Sequence, residues 1–261
     1  MLGRKEEEKN YMNDNKSTGN QEVIQRLKSA EALYVLISGC TKEPYIVCDP
    51  ESFDDETYMF FTPEDAQAKA GKLAGGNIDV KVAKLEDRQM LMFYTSLYTM
   101  GVNALAVTEG AEERHIQLAD FVRRDRPAQD PEGKMWVENP ELHLTALYYM
   151  QELRKQPAQE NSPQLREWQE EISNYFAKGS FIVPVQKEGN GIPVIKLNDQ
   201  EVYQAIFTDI MEFQKFNREN QLRPLVITAD KIPQILVAEA VGVLLNPMGV
   251  RMPLQIKKQA E

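Results

Sequence analysis

The chain has few of the residues on which metal binding, disulfide bonding and nucleophilic catalysis usually depend. Its 261 residues include 2 cysteines, Cys40 and Cys48, and 2 histidines, His115 and His143. Two cysteines cannot form a disulfide scaffold, and no Cys-x-x-Cys or His-x-x-x-His spacing supplies a zinc site. Neither cysteine stands beside a basic cluster or a helix start that would favour its thiolate. We therefore predict no catalytic residue, no metal and no cofactor.

Long apolar runs and phosphate-binding loops are also missing. Residues 241–245 form an apolar run far too short to span a bilayer, and residues 1–20 are too charged for a signal peptide. The Gly-x-Gly at 189–191 does not precede a helix, as a phosphate loop would. With 30 Lys and Arg against 40 Asp and Glu, the formal net charge of -10 repels a nucleic-acid backbone. These absences predict a soluble, cytoplasmic protein that binds neither nucleic acid nor a membrane.

What the chain does have is the same order of elements twice. The runs Leu33–Leu36 and Phe181–Pro184 each begin a series of strand, strand, strand, helix, strand, helix, strand, strand. We predict a disordered tail at 1–20 and two modules, at 21–125 and 180–261, related by internal duplication. The predicted fold class is α+β, with two similar modules of mixed sheet plus helices in βββαβαββ order, joined by a helical pair.

Residues 126–179 are predicted to form a linker and the helical pair. A stretch rich in Pro and Asp is followed by helices that begin at Asn139-Pro140 and at Ser162-Pro163. His143 lies on the first of these helices and is interpreted as an interfacial residue. Trp136 and Trp168 also lie in this region, and both core packing and contact with a partner are open for them.

Two loops carry local signals of their own. The sequence Gly189-Asn190-Gly191 predicts a hairpin between the first two strands of the second module. The loop at 49–56 is dense in carboxylates but does not have the alternating acids and central glycine of a calcium loop. Its acids are Asp49, Glu51, Asp54, Asp55 and Glu56. A solvated loop is one interpretation of these acids, and paired carboxylates for hydrolysis are the alternative.

The second module resembles the N-terminal domain of the SseB family, named for enhanced serine sensitivity. The segments that carry the resemblance are Phe181–Pro184, Gly191–Ile195, Ala205–Thr208 and Val241–Gly249. The first module is similar to a diverged copy, which keeps Phe61-Thr62 but has Thr108-Glu109-Gly110 where Asn246-Pro247 would stand. The resemblance implies a bacterial α+β protein without agreed catalytic residues or cofactor. The family name is also attached to a type III secretion component.

From these observations we predict a non-enzymatic protein of the SseB type. It would bind a protein partner or a small polar ligand through its two modules, and a homodimer is left open. The alternatives are a hydrolase or transferase that uses loop carboxylates, and an accessory of a type III secretion apparatus. The Asn246-Pro247 turn faces a ligand in one interpretation and is purely structural in the other. The residues predicted to form the binding surface are Asn246, Pro247, Gly249, Phe207, Thr208, Trp136 and Trp168.

Overall fold

The first half of the chain is built on one mixed β-sheet. The structure, a computed structural model, describes residues 19–124, 136–155, 162–197 and 201–256. Residues 1–18 of the tail predicted at 1–20 and the linker rich in Pro and Asp lie outside these ranges, and the prediction is wrong for residues 19 and 20, which begin a helix. The sheet is 6-stranded, with the order β4-β1-β3-β5-β6 and with β2 also paired to β3. Its strands are β1 (Ala32–Ser38), β2 (Ile46–Cys48), β3 (Asp55–Phe60), β4 (Val80–Glu86), β5 (Ala104–Glu109) and β6 (Glu112–Gln117).

Helices cover both faces of this sheet. Helix α2 (Pro63–Gly75) packs its Ala66 against Leu36 and Phe60 on one face. Helices α1 (residues 19–29) and α3 (Asp87–Thr99) pack against the other face. Helix α2 begins at Pro63 because the Thr62 side chain caps it by accepting a hydrogen bond from the Asp65 amide.

The second half carries the same order of strands in two sheets. One sheet pairs β10 with β7, and the other has the order β12-β11-β9-β8. Reciprocal backbone hydrogen bonds between Ile182 and Phe207 connect the two sheets. The elements are β7 (Ser180–Gln186), β8 (Val194–Lys196), β9 (Val202–Ile206), α6 (Ile210–Phe216), β10 (Leu222–Thr228), α7 (Ile232–Ile235), β11 (Gly242–Leu245) and β12 (Met252–Gln255).

Four of the five strand pairings formed by the described residues of the first half recur in the second, and the fifth, β1–β3, corresponds only to the isolated bridge between Ile182 and Phe207. The antiparallel pairs β1–β4, β2–β3 and β5–β6 correspond to β7–β10, β8–β9 and β11–β12. The parallel pair β3–β5 corresponds to β9–β11. The predicted α+β class and the βββαβαββ order are therefore confirmed. The predicted hairpin at 189–191 is wrong, since Gln186 N donates to Gly191 O at the turn but β8 then pairs with β9.

The helical pair consists of α4 (Pro140–Leu153) and α5 (Pro163–Lys178). Helix α4 is bonded to the first half by Gln151, which accepts from the Ile46 amide and donates to the Ile46 carbonyl. It is bonded to the second half by Asn139, whose Nδ2 donates to the carbonyls of Ser180 and Thr208. Asn139 stands at the N-cap position but its side chain does not cap the helix. Helix α4 is thus a bridge between the two halves.

The largest of the hydrophobic clusters formed by the described residues runs through both halves. It joins Leu33 and Leu105 of the first sheet to Leu147 of α4 and to Phe181 and Val243 of the second half. Each of these side chains is 0% exposed. Within the described ranges, no helix is long and apolar enough to cross a membrane. The halves are therefore held together by buried apolar surface as well as by hydrogen bonds.

Candidate functional site

The Asn246 turn closes one end of the second half. Asn246 follows β11 with φ 45, in the left-handed region that asparagine tolerates better than most residues. Its carbonyl accepts hydrogen bonds from Gly249 N and Arg251 N, both at 3.0 Å. Its side-chain Oδ1 accepts from Thr208 N at 3.0 Å, and its Nδ2 donates to Thr208 Oγ1 at 2.9 Å. The turn is therefore fastened to the residue that precedes α6.

His143 of α4 completes this hydrogen-bond network. Its Nε2 lies 3.3 Å from Asn246 Nδ2, and its Nδ1 lies 3.2 Å from Thr208 Oγ1 and 3.7 Å from Asp209 Oδ2. Because the Asn246 amide nitrogen is a donor, Nε2 accepts and the imidazole proton is assigned to Nδ1. The sequence-based interpretation of His143 as an interfacial residue agrees with this position between α4 and the second half.

Thr208, His143 and Asp209 together contain the groups of a nucleophilic catalytic set, but they are not accessible. All three are 0% exposed. The Thr208 hydroxyl donates to Asp209 Oδ2 at 2.8 Å rather than to the imidazole. Burial raises the pKa of Asp209, but the His143 and Thr208 side chains and the α6 amides outweigh burial and lower it below its ordinary value. The set therefore stabilises the fold, since no substrate reaches the hydroxyl.

A buried ionic cluster links the two halves next to this network. Lys215 Nζ of α6 donates to Glu43 Oε1 of the first half at 2.7 Å and to Glu212 Oε1 at 2.5 Å. Burial, followed by the Glu212 carboxylate, raises the pKa of Glu43 to about 7. Among the described residues, Glu212 Oε2 has no hydrogen-bond partner. One lysine thus stands between two buried carboxylates.

Gly249 lies directly against the carboxylates of this cluster. A Cβ at position 249 would lie 2.4 Å from Glu43 Oε1 and 2.9 Å from Glu212 Oε2. Both distances are below the closest approach of real side-chain carbons. The carboxylates occupy the space that any larger residue would need.

The residues predicted to form a binding surface separate into two groups. Phe207, Thr208 and Asn246 are 0% exposed, Gly249 is buried and Pro247 is half-buried. The structure brings these five together around the turn, but it places most of their side chains inside the protein. These contacts agree with the structural interpretation of the turn.

The two tryptophans have different surroundings. Trp136 is 55% exposed, with the Arg124 guanidinium carbon 5.3 Å from its ring centroid. The prediction that Trp136 packs in the core is therefore wrong. Trp168 of α5 is half-buried and stacks on Tyr148 of α4, with ring centroids 5.7 Å apart. Trp168 joins the two helices of the pair.

The acids of the 49–56 loop are held by structural partners. Asp54 accepts from Asn103 Nδ2 at 2.7 Å and from Gln117 Nε2 at 2.6 Å. Asp55 accepts from the Tyr148 hydroxyl at 2.6 Å. Burial raises the pKa of Asp55, and the Tyr148 hydroxyl opposes that effect. Asp54 and Asp55 therefore connect β3 to neighbouring elements, and they are not simply solvated side chains.

An open groove lies between the helical pair and the second half. It has a volume of about 690 Å³. Most of its lining is apolar or aromatic, and the described residues that line it include no Asp or Glu. Arg154 supplies the one charged side chain among those described residues. Helix α4 contributes Tyr149, Met150 and Leu153 to the lining, and Arg154 follows directly after that helix. The remaining lining residues are Gln169, Ile172, Ser173 and Phe176 of α5, Tyr203 of β9, and Met252–Ile256.

Sequence reasoning did not find this groove, because its walls come from segments that are far apart in the chain. The only local signal was the spacing of Leu165, Ile172 and Phe176, which marks one apolar face of α5. A second cavity of about 800 Å³ shares Leu153 and Arg154 with the groove and is lined by more polar residues of the first half. Arg154 thus stands where the two cavities meet.

Comparisons with known proteins give little further information. No protein-family model matches the chain, and no curated protein matches it either. Among solved structures, Tic22 from Plasmodium falciparum is 13% identical, with 80% of this chain and 84% of that chain covered and a TM-score of 0.24. Anabaena Tic22, described as a protein of protein transport, is 13% identical, with coverages of 86% and 92% and a TM-score of 0.22. Similarities this low support no conclusion about this chain.

Proposed function

We propose that this is a non-enzymatic binding protein that holds an apolar segment of a protein partner in the groove between α4, α5 and β12. The observation that carries the proposal is the lining of the groove, which is largely apolar and without carboxylates among its described residues. Its volume is that of pockets that enclose several bulky side chains. A small polar ligand, the other candidate, would need several converging polar groups, and this lining offers few.

The apolar walls provide the affinity. Tyr149, Leu153 and Phe176 are half-buried, so each presents part of its surface to the groove. Leu254 and Ile256 do the same on the opposite wall. Each Leu, Ile, Phe or Met side chain of a partner that becomes fully buried here contributes about 1.5–3 kcal/mol. Two such anchors would contribute about 3–6 kcal/mol, from which the cost of ordering the peptide is subtracted.

Recognition depends on side chains rather than on strand addition. Strand β12 is the last strand of its sheet, so its outer edge is unpaired among the described residues. In an antiparallel pair, every second residue of a strand directs its backbone N–H and C=O towards the neighbouring strand. The hydrogen bond from Ile256 N to Val241 O shows that Ile256 is such a residue, so the backbone groups of Pro253 and Gln255 point towards the outer edge. Pro253 has no amide hydrogen, so a continuous ladder cannot form there. The partner segment is therefore held by its apolar side chains.

Arg154 adds a charge preference. It is exposed, and one guanidinium nitrogen donates to Cys40 O at 2.9 Å. The remaining guanidinium donors can bind a carboxylate. The occupant we propose is a peptide segment with bulky apolar residues and an acidic residue that pairs with Arg154.

The test is selection from a displayed random peptide library on the full chain, followed by fluorescence anisotropy of the enriched peptides. Enriched sequences should combine bulky apolar residues with Asp or Glu. Ser173→Glu puts a carboxylate into the groove and should weaken binding at least about tenfold. The matched control is Asn174→Glu, one position along on the exposed surface of α5, which should bind like the unmodified protein.

Arg154→Gln should remove the preference for acidic peptides while apolar binding remains. The proposal fails if no peptide is enriched, or if enriched peptides bind the Ser173→Glu protein as tightly as the unmodified one. We also propose, on the recurrence of the strand pairings, that the two halves are copies of one SseB-like module. The groove proposal does not depend on that origin.

A further inference from the structure

Three metal-ligating groups converge at one end of the first sheet, away from the groove. They are Asp49 in the β2–β3 connection, Glu56 of β3 and His115 of β6, and their donor atoms all lie within 4.8 Å of one another. We propose that these residues bind a zinc ion, with the imidazole Nδ1 and the two carboxylates as ligands. The site is independent of the proposed peptide groove.

The distances between the donors suit a small ion. His115 Nδ1 lies 2.8 and 2.9 Å from the two oxygens of Glu56 and 3.9 Å from Asp49 Oδ2. Ligands about 2.0–2.2 Å from a tetrahedral zinc ion are separated by about 3.3–3.6 Å. The observed separations bracket that range. Small rotations of the side chains would therefore complete the coordination without movement of the backbone.

The backbone already positions the ligands. Glu56 and His115 stand on β3 and β6, which flank β5 opposite Ala104 and Ala106 respectively. Asp49 is fixed because its Oδ1 accepts from the amides of Glu51 at 2.9 Å and Ser52 at 2.6 Å. Its other oxygen is the one nearer His115. A site whose ligands stand on strands and on a fixed turn requires little ordering when the ion binds.

The buried carboxylate of Glu56 is the second reason for the proposal. Its side chain is 2% exposed, and both of its oxygens contact the same nitrogen of His115. An ionised carboxylate accepts about four hydrogen bonds, and one N–H is a poor substitute for them. Burying such a charge is costly unless the group is paired or bound to a metal.

Solvent access leaves room for a further ligand. The His115 side chain is 42% exposed. Three protein ligands with an open fourth position filled by water are the arrangement of zinc sites that are not purely structural. A nitrogen ligand with only two carboxylates favours zinc over calcium, which takes six to eight oxygens, and over magnesium.

Cys48 lies close by but is a poor ligand. Its thiol contacts Asp49 O at 3.7 Å. Its sulfur is not among the donor atoms that converge within 4.8 Å of one another. We assign no role in the site to Cys48.

The test is isothermal titration of the untagged full chain with zinc chloride, checked against a chromophoric chelator. One zinc ion should bind per chain. His115→Asn, Glu56→Gln and Asp49→Asn should each weaken binding at least about tenfold. Asn at position 49 keeps the Oδ1 acceptor of the turn, and circular dichroism without metal checks the fold of each variant. Calcium and magnesium should give no stoichiometric binding.

Two matched variants separate ligation from general charge. Asp54→Asn removes an acid that faces Asn103 and Gln117 instead of His115, and Cys48→Ser removes the nearby thiol. Both should bind zinc within about twofold of the unmodified protein. The proposal is overturned by the absence of one-to-one binding, by unchanged binding in His115→Asn, or by equal losses in Asp54→Asn or Cys48→Ser.

Discussion

Asn246 and Thr208 are joined by two hydrogen bonds through a single side-chain amide. Asn246 Oδ1 accepts from Thr208 N at 3.0 Å, and Asn246 Nδ2 donates to Thr208 Oγ1 at 2.9 Å. Both residues are 0% exposed. The amide also meets His143 Nε2 at 3.3 Å, so it connects β11, the start of α6 and the bridging helix α4. Removal of this one amide would leave two buried groups, Thr208 N and His143 Nε2, without these partners.

Asn246→Ala should therefore lower the free energy of unfolding by about 2–4 kcal/mol. Part of that loss comes from φ 45, which alanine tolerates poorly. Asn77→Ala is the matched control, since Asn77 has φ 62 but is exposed. It should cost about 1 kcal/mol. Urea unfolding at constant m-value measures both. Equal losses in the two variants would show that the buried network contributes nothing.

Gly249→Ala should destabilise the protein by about 1–3 kcal/mol, because its Cβ would overlap the carboxylates of Glu43 and Glu212. The control is Gly71→Ala on α2, where a Cβ would meet nothing within 4 Å. That change should stabilise the helix by about 0.5–1 kcal/mol. Thermal unfolding measures both the destabilisation by Gly249→Ala and the stabilisation by Gly71→Ala. In the double variant Gly249→Ala with Glu43→Ala, the loss attributed to Gly249 should shrink, and additive losses would argue against the overlap.

The pKa of Glu43 predicts a pH dependence of stability. Burial raises that pKa from its ordinary value of 4.5 to about 7. A raised pKa means that the folded protein binds the proton more tightly than the unfolded chain. The stabilisation is therefore complete below about pH 4.5 and is lost as the pH rises to about 7. Lys215, Glu212 and His143 are the groups that act on Glu43.

Glu43→Gln should remove this dependence. Between pH 4.5 and 8 the unfolding free energy of the unmodified protein should fall relative to that of Glu43→Gln by about 3 kcal/mol. The comparison variant is Glu109→Gln, because the Arg26 guanidinium lowers the pKa of Glu109. Glu109→Gln should leave the decline of the unfolding free energy with rising pH unchanged. Parallel pH profiles for the unmodified protein and Glu43→Gln would contradict the prediction.

Tyr148→Phe should weaken the attachment of α4 to the first half. The Tyr148 hydroxyl donates to Asp55 Oδ1 at 2.6 Å, and its ring remains able to stack on Trp168 after the change. A hydrogen bond to a charged group contributes about 1.5–3 kcal/mol. Tyr149→Phe, at the next position of the same helix, should change stability by less than about 0.5 kcal/mol. Denaturant unfolding at pH 7 compares the two, and a similar small effect for both would remove the proposed role of the hydroxyl.

Local signals in the sequence were sufficient for several helix starts. Ser162 caps α5 at the predicted start, and Thr62 and Asp209 are caps of the same kind for α2 and α6. These predictions succeed because a cap is an interaction between residues two or three positions apart. The hairpin at 189–191 failed for the opposite reason. A turn sequence reverses the chain but does not determine which strand the next segment pairs with.

The sequence by itself determined the order of strands and helices, since that order follows from the spacing of apolar residues along each segment. Only the tertiary structure decided what the polar residues do. It brought Glu43 to Lys215, His143 to Asn246 and His115 to Glu56, pairs whose members lie far apart in the chain. It also formed the groove from α4, α5 and β12. Such contacts depend on how the elements pack, and periodicity within one element contains no information about its neighbours.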